Sequence, residues 1–179
     1  MNTGLISIRY AKALLQTGLE KEGLPEILYE NSNSFCKMLN ESSDFDTFIK
    51  SPVIKGTQKK QFIRKAFSGN LHDIMLNFID IIIDNKREKL MNDIFRNFLD
   101  LYRKRMGILS VTFITAVPID EKYKQKIFER LEEYMASEIE LEIKVNPEII
   151  GGMIIVADDR QADGSISGEL RALKKKMMN

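Results

Sequence analysis

The chain has 179 residues, 44% of them hydrophobic and 30% charged, with 27 Lys and Arg against 26 Asp and Glu for a formal net charge of +1. That balance excludes nucleic-acid or acidic-lipid binding driven by bulk charge, and the single cysteine, Cys36, excludes an intrachain disulfide. The length suits one ordinary domain or two small ones, and the longest apolar run, around Ile74 to Ile83, is broken by Asn77 and Asp80, far short of the roughly 20 residues of a membrane span.

The opening residues, MNTGLISIRYAK, lack the basic start and apolar core of a secretion signal. From Ile6 to Glu22, Ile6, Tyr10, Ala13 and Leu14 fall on one helical face, with Thr3 or Ser7 as the expected cap and Gly23 as the end. A second helix starts near Pro25, a residue suited to a first turn, and carries Leu24, Ile27, Leu28, Phe35, Met38 and Leu39. Ser42, Ser43 or Asp44 caps a short third helix with Phe45, Phe48 and Ile49, which Ser51-Pro52 stops. Thr57 is the expected cap of a fourth helix with Phe62, Ile63, Ala66 and Phe67 inward. The fifth, about Leu71 to Asn85, is apolar around most of its circumference, so it is either central or keeps a face for a partner. The sixth, about Leu90 to Arg105, ends at Gly107 behind the cations Arg103, Lys104 and Arg105, which suit a helix C-terminus. Six short helices with short connections imply a bundle.

After Gly107 the period changes. Ile108 to Val117 is β-branched and apolar, which favours a strand. Asp120 caps a one-sided helix bearing Tyr123, Ile127, Leu131, Tyr134 and Met135. Ile139, Leu141, Ile143 and Val145 alternate with Glu138, Glu140, Glu142 and Lys144, a half-buried strand. Pro147 and the pair Gly151-Gly152 lead into the apolar run Met153 to Ala157, a further strand. Asp158-Asp159 and Asp163-Gly164 read as turns, and Ser165 as the cap of a last helix whose stripe Ile166, Leu170, Leu173 and Met177 docks it. The fold class is therefore mainly α: a six-helix bundle over residues 1–106, then a small α+β domain, β-α-β-β-α, over 107–179.

The chain offers little chemistry. Glu138, Glu140 and Glu142 line a solvated strand face. His72, the only histidine, stands beside Asp73 at a helix start and reads as a capping feature. Cys36 lies on an apolar stripe and reads as a small hydrophobe. Histidine and cysteine are too few for a metal centre, and Gly151-Gly152 belongs to no phosphate-binding loop. Lys174-Lys175-Lys176 suits a helix C-terminus or an acidic partner. The expectation is no catalytic residue, no cofactor and no metal.

Several runs together carry a resemblance. RYAKALL from Arg9, SPV at Ser51–Val53, the Asn-x-Arg element at Asn85–Arg87 and TAVP at Thr115–Pro118 precede the motif residues Gly151, Gly152, Asp159, Arg160, Asp163, Gly164 and Ser165. In this order they resemble the delta subunit of F-type ATP synthases, the bacterial counterpart of the mitochondrial oligomycin-sensitivity-conferring protein. Gln161-Ala162 stands where the family has two apolar residues, and Ser167 where a basic one is common.

The resemblance implies a non-catalytic stator subunit that joins the catalytic head to the peripheral stalk, at the cytoplasmic face of the bacterial plasma membrane and reaching the membrane only through partners. The N-terminal bundle would hold the N-terminal segment of an alpha subunit between the first and fifth helices, at Tyr10, Ala13, Leu14, Asn77, Ile81 and Asn85. The C-terminal domain would join b-type stalk subunits. The alternative from another class is a free-standing helical adaptor or regulatory binding protein.

Overall fold

Apolar residues at helical spacing fold the first part of the chain into α1 (Thr3–Leu19), α2 (Leu24–Glu41), α3 (Ser43–Lys50), α4 (Gly56–Ala66), α5 (Asp73–Asp84) and α6 (Met91–Met106), with a 3₁₀ turn at Glu88–Leu90. The computed structural model describes residues 3–158 and 160–178. It divides into two compact units, 1–102 and 103–179.

In the first unit the core is aromatic at its centre. Phe35 meets Phe95 at 5.2 Å and Phe67 at 5.4 Å between ring centroids, and Phe95 meets Phe78 at 6.0 Å. Met75, Ile79, Ile82, Met91, Ile94 and Phe98 close around them, fully buried. α1 enters this core on Ser7, Ala11 and Leu14, small residues among them, so its backbone lies close to its neighbours. Ser7 is thus a buried position inside the helix and not its cap. Buried Lys59 pairs with Glu88 at 3.0 Å, tying α4 to the 3₁₀ turn.

The caps follow local chemistry. Ser42 Oγ accepts from the Phe45 amide, and Asp120 Oδ1 from that of Tyr123. His72 Nδ1 accepts from the Ile74 amide at 3.2 Å, which makes the histidine the N-cap of α5. Thr57 does not cap α4: the helix starts one residue earlier, after Lys55, with no side-chain cap. Gly23, at φ +75, precedes α2, α1 having ended at Leu19. Phe62, expected inward, is half exposed, and its ring lies tilted against that of Phe48 at 4.8 Å between centroids.

The second unit is a small mixed α/β unit: β1 (Leu109–Thr115), α7 (Glu121–Met135), β2 (Ile139–Val145), a 3₁₀ turn at Pro147–Ile149, β3 (Gly152–Ala157), β4 (Arg160–Ser165) and α8 (Ile166–Met178). The sheet order is β2-β1-β3-β4. β1 and β2 are parallel and joined across α7; β3 is antiparallel to both β1 and β4. Val111, Phe113, Leu131 and Ile139 form the core between α7 and the sheet, with Ile127, Phe128 and Leu141 packed beside them.

Two expectations for this unit are corrected. The order is β-α-β-β-β-α and not β-α-β-β-α, because Arg160–Ser165 is a strand paired with β3 and not a step between turns. β4 lies at the sheet edge and is solvated, so it needs backbone pairing but no apolar alternation, and its sequence shows none. Nor does the apolar stripe of α8 dock: Leu170 is 53%, Leu173 55% and Met177 87% exposed. Helical spacing reveals that a stripe exists and leaves open whether the same chain covers it.

Candidate partner-binding surfaces

α1 and α5 meet through Tyr10 and Phe78, whose rings pack edge to face at 6.2 Å. Beside this contact runs a groove of about 380 Å³ lined by Ile6, Arg9, Tyr10, Ala13, Asn85 and Arg87. Three of the residues singled out in the sequence, Tyr10, Ala13 and Asn85, share this groove. Asn77 and Ile81 lie outside its lining; with Asn85 they continue at helical spacing along the exposed side of α5. Ile81 is 50% exposed while its neighbours Ile82 and Ile83 are buried. Leu14 belongs elsewhere: at 2% exposure it is a core residue, and it offers no surface to a partner. Ile6, Arg9 and Arg87 were missed. Their signal in the sequence was only their proximity in helix turns to Tyr10 and Asn85.

Polar contacts hold the α5 side in place. Arg64 of α4 donates to Asn77 Oδ1 at 2.9 Å and to Asp80 Oδ2 at 2.6 Å. The Asn85 side chain donates back to the Ile81 carbonyl at 2.8 Å, closing the helix end. The groove therefore has an apolar floor with arginines from both sides, a shape suited to an amphipathic helix with apolar anchors.

In the second unit the motif residues converge on the junction of β3, β4 and α8. Gly152 pairs with Ser165 across the strands. It sits at φ +77, and a Cβ there would stand 2.1 Å from the Gly164 carbonyl oxygen; backbone meets backbone where only glycine fits. A Cβ on Gly151 would press on Ile166 at 2.8 Å. Asp163 Oδ1 accepts from both the Ser165 hydroxyl, at 2.6 Å, and its amide, at 2.9 Å. Ser165 Oγ in turn accepts from the Gly168 amide at 3.0 Å, so the buried serine caps α8 as the sequence suggested. The Ser165 hydrogen bonds, with a lesser pull from Arg171, hold the Asp163 carboxyl below its ordinary range. Arg160 opens β4 and is exposed; Asp159 lies outside the described residues. These residues build a joint, and α8 projects from it with Ile166, Leu170, Leu173 and Met177 exposed and Arg171, Lys174 and Lys175 nearby.

The residues weighed for chemistry have structural tasks. Burial pushes the Cys36 thiol up to about 11, against a smaller opposing pull from Arg96, so it stays protonated and unreactive at neutral pH. Glu140 pairs with Arg103 at 2.6 Å and Glu142 with Lys144 at 2.9 Å. Among the described residues no helix is long and apolar enough to cross a membrane.

Fold and surfaces together define a binding protein, in which a helical unit and a mixed α/β unit each present an apolar stripe. The ATP synthase delta (OSCP) subunit family matches residues 6–177. An ATP synthase subunit delta of Gloeobacter violaceus is 33% identical over 169 residues, 94% of this chain and 91% of that protein. One from a Synechococcus species is 32% identical over 165 residues, covering 92% and 90%. A chain of the Toxoplasma gondii mitochondrial ATP synthase hexamer shares the fold, with a TM-score of 0.78, 21% identity and 97% of each chain covered. The chain belongs to the ATP synthase delta (OSCP) subunit family. It is a peripheral, non-catalytic stator subunit that links the catalytic head to the peripheral stalk.

Proposed function

We propose that the N-terminal helices act as a six-helix bundle, over residues 1–106, that binds the N-terminal segment of the alpha subunit as a helix along the α1–α5 surface. The mixed α/β domain, over residues 107–179, binds a b-type stalk subunit through α8. The chain so placed stands at the cytoplasmic face of the bacterial plasma membrane, attached only through its partners. It resists rotor torque by binding energy, with no chemical step of its own.

The observation that carries this reading is the α5 stripe. Ile81 is half exposed between Asn77 and Asn85, next to a groove that already holds Tyr10 and Ala13. An apolar anchor flanked by amides satisfies a helix that brings one apolar residue per turn or two. The test is titration calorimetry of a peptide copying the alpha N-terminal segment. Ile81→Asp places an unpaired carboxylate in the contact, and affinity should fall by at least about a hundredfold, roughly 3 kcal/mol. Because Ile81 is not core, the variant should keep its circular dichroism and melting temperature. Unchanged affinity would remove the α5 stripe from the binding surface.

A further inference from the structure

Two elements that carried the family resemblance, Ser51–Val53 and Asn85–Arg87, have no part in the α8 joint, and only the ends of the second touch the α1–α5 groove. They meet instead around a separate cavity of about 650 Å³ in the helical unit, bounded by the end of α3, the 51–55 loop, the start of α4 and the end of α5. Five lysines line it, Lys50, Lys55, Lys59, Lys86 and Lys89, against two carboxylates, Asp84 and Glu88. Both carboxylates are already engaged: Glu88 by buried Lys59 and Asp84 by Lys60, which comes from outside the lining. Lys50 is held by Asp46 at 2.7 Å. Among the described residues, Lys55, Lys86 and Lys89 have no acidic partner within ion-pair distance. The cavity is thus a concentration of uncompensated positive charge in a chain whose net charge is only +1.

Its hydrogen-bonding groups have the same polarity. α4 starts at the cavity with no side-chain cap, and Gly56 and Thr57 line it. Their amides lie in the first turn, where no carbonyl of the helix can accept from them. The amides of Gln58 and Lys59 are both taken by the Lys55 carbonyl. The Thr57 hydroxyl adds a further donor. Ammonium groups, free amides and a hydroxyl around one concave space match the oxygens of a multiply charged phosphate.

We propose that this lysine-lined cavity binds a diphosphate anion, either free pyrophosphate or the phosphate chain of a nucleotide. The volume exceeds that of a single phosphate, and the three unpaired lysines match a charge greater than one. The site is independent of the alpha-binding reading, since its lysines do not line the α1–α5 groove.

The test is an NMR amide titration of the full chain at low ionic strength with pyrophosphate, ATP, adenosine and, at matched ionic strength, sodium chloride. Saturable shifts at Gly56 and Thr57 with pyrophosphate and ATP, and none with adenosine, are expected. Stronger binding of pyrophosphate than of ATP identifies the free anion as the ligand, and the reverse identifies the nucleotide. The double variant Lys55→Gln/Lys89→Gln should weaken binding by about tenfold or more while the rest of its spectrum is unchanged. Both side chains are exposed, so folding is preserved; Lys59 is left intact because it holds Glu88. Shifts that sodium chloride reproduces, equal binding by the double variant, or binding that needs adenosine alone would overturn the proposal.

Discussion

In the helical unit the core is built from large side chains that touch one another from distant parts of the sequence: Phe35, Phe67, Phe78 and Phe95 share one aromatic cluster, with Met75, Ile79 and Ile82 behind it. In the α/β unit the equivalent core is the smaller cluster of Val111, Phe113, Leu131 and Ile139, and order depends as much on strand pairing and on the joint at Gly152, Asp163 and Ser165. The helical unit has the larger apolar core, and Ile81 lies outside it. The smaller unit spends little of its apolar surface internally and leaves a whole helix face, on α8, for something else to cover. On the proposed reading these uncovered faces are where the partners bind.

Mutations that attack each kind of construction separate the two. The largest effect is expected from Phe95→Ala, which empties the centre of the aromatic cluster. It should cost about 3–5 kcal/mol and lower the melting of the helical unit in calorimetry, leaving the amide-exchange protection of β1 and β3 unchanged. Gly152→Ala should reverse the pattern. Positive φ and the approach of the Gly164 carbonyl oppose any side chain, at about 2–4 kcal/mol. Protection should vanish first from β3, β4 and α8 while the helical unit keeps its own.

pH sharpens the contrast further. The Cys36 thiol is raised from about 9 to about 11 by burial. A raised thiol means that folding favours the protonated form. Its contribution is complete below the unfolded value and is lost as pH climbs from about 9 towards about 11, at most on the order of 2–3 kcal/mol. Cys36→Ala should show less of that alkaline loss in urea titrations, although it starts from lower stability because of the cavity it leaves. Asp163 works in the opposite direction and in the other unit. Its carboxyl is held below the ordinary range, so its contribution is present above that range and is lost as pH falls through the lowered value. Asp163 faces solvent, so the effect is the smallest of the set. Asp163→Asn should flatten the acid limb of α/β-unit stability and leave that of the helical unit alone.

What the sequence disclosed follows the same division. Where burial imposes a period, the element could be read: the stripe of α6, that of α2 apart from Ile27 and Met38, which are exposed, the alternation of β2, and the caps at Ser42, Asp120 and Ser165. β4 was missed because an exposed edge strand has no period to impose. The docking of α8 was misjudged because an apolar stripe looks the same whether its cover is internal or a partner. Among the groove residues, Tyr10, Ala13 and Asn85 came from the family resemblance, which named Leu14 beside them; only the folded chain shows that Leu14, one residue from Ala13, turns into the core. Arg9 and Arg87 escaped because their role depends on which turns of two separate helices lie side by side, and that is a tertiary fact.

On the proposed function the two exposed stripes serve two different partners. This is tested most directly by co-purifying ATP synthase head and stalk proteins with the full chain carrying either Ile81→Asp or Leu173→Asp. Ile81→Asp should lose the head and keep the stalk, and Leu173→Asp should keep the head and lose the stalk, with both variants folded. Loss of both partners together, or retention of both, in either folded variant would contradict it.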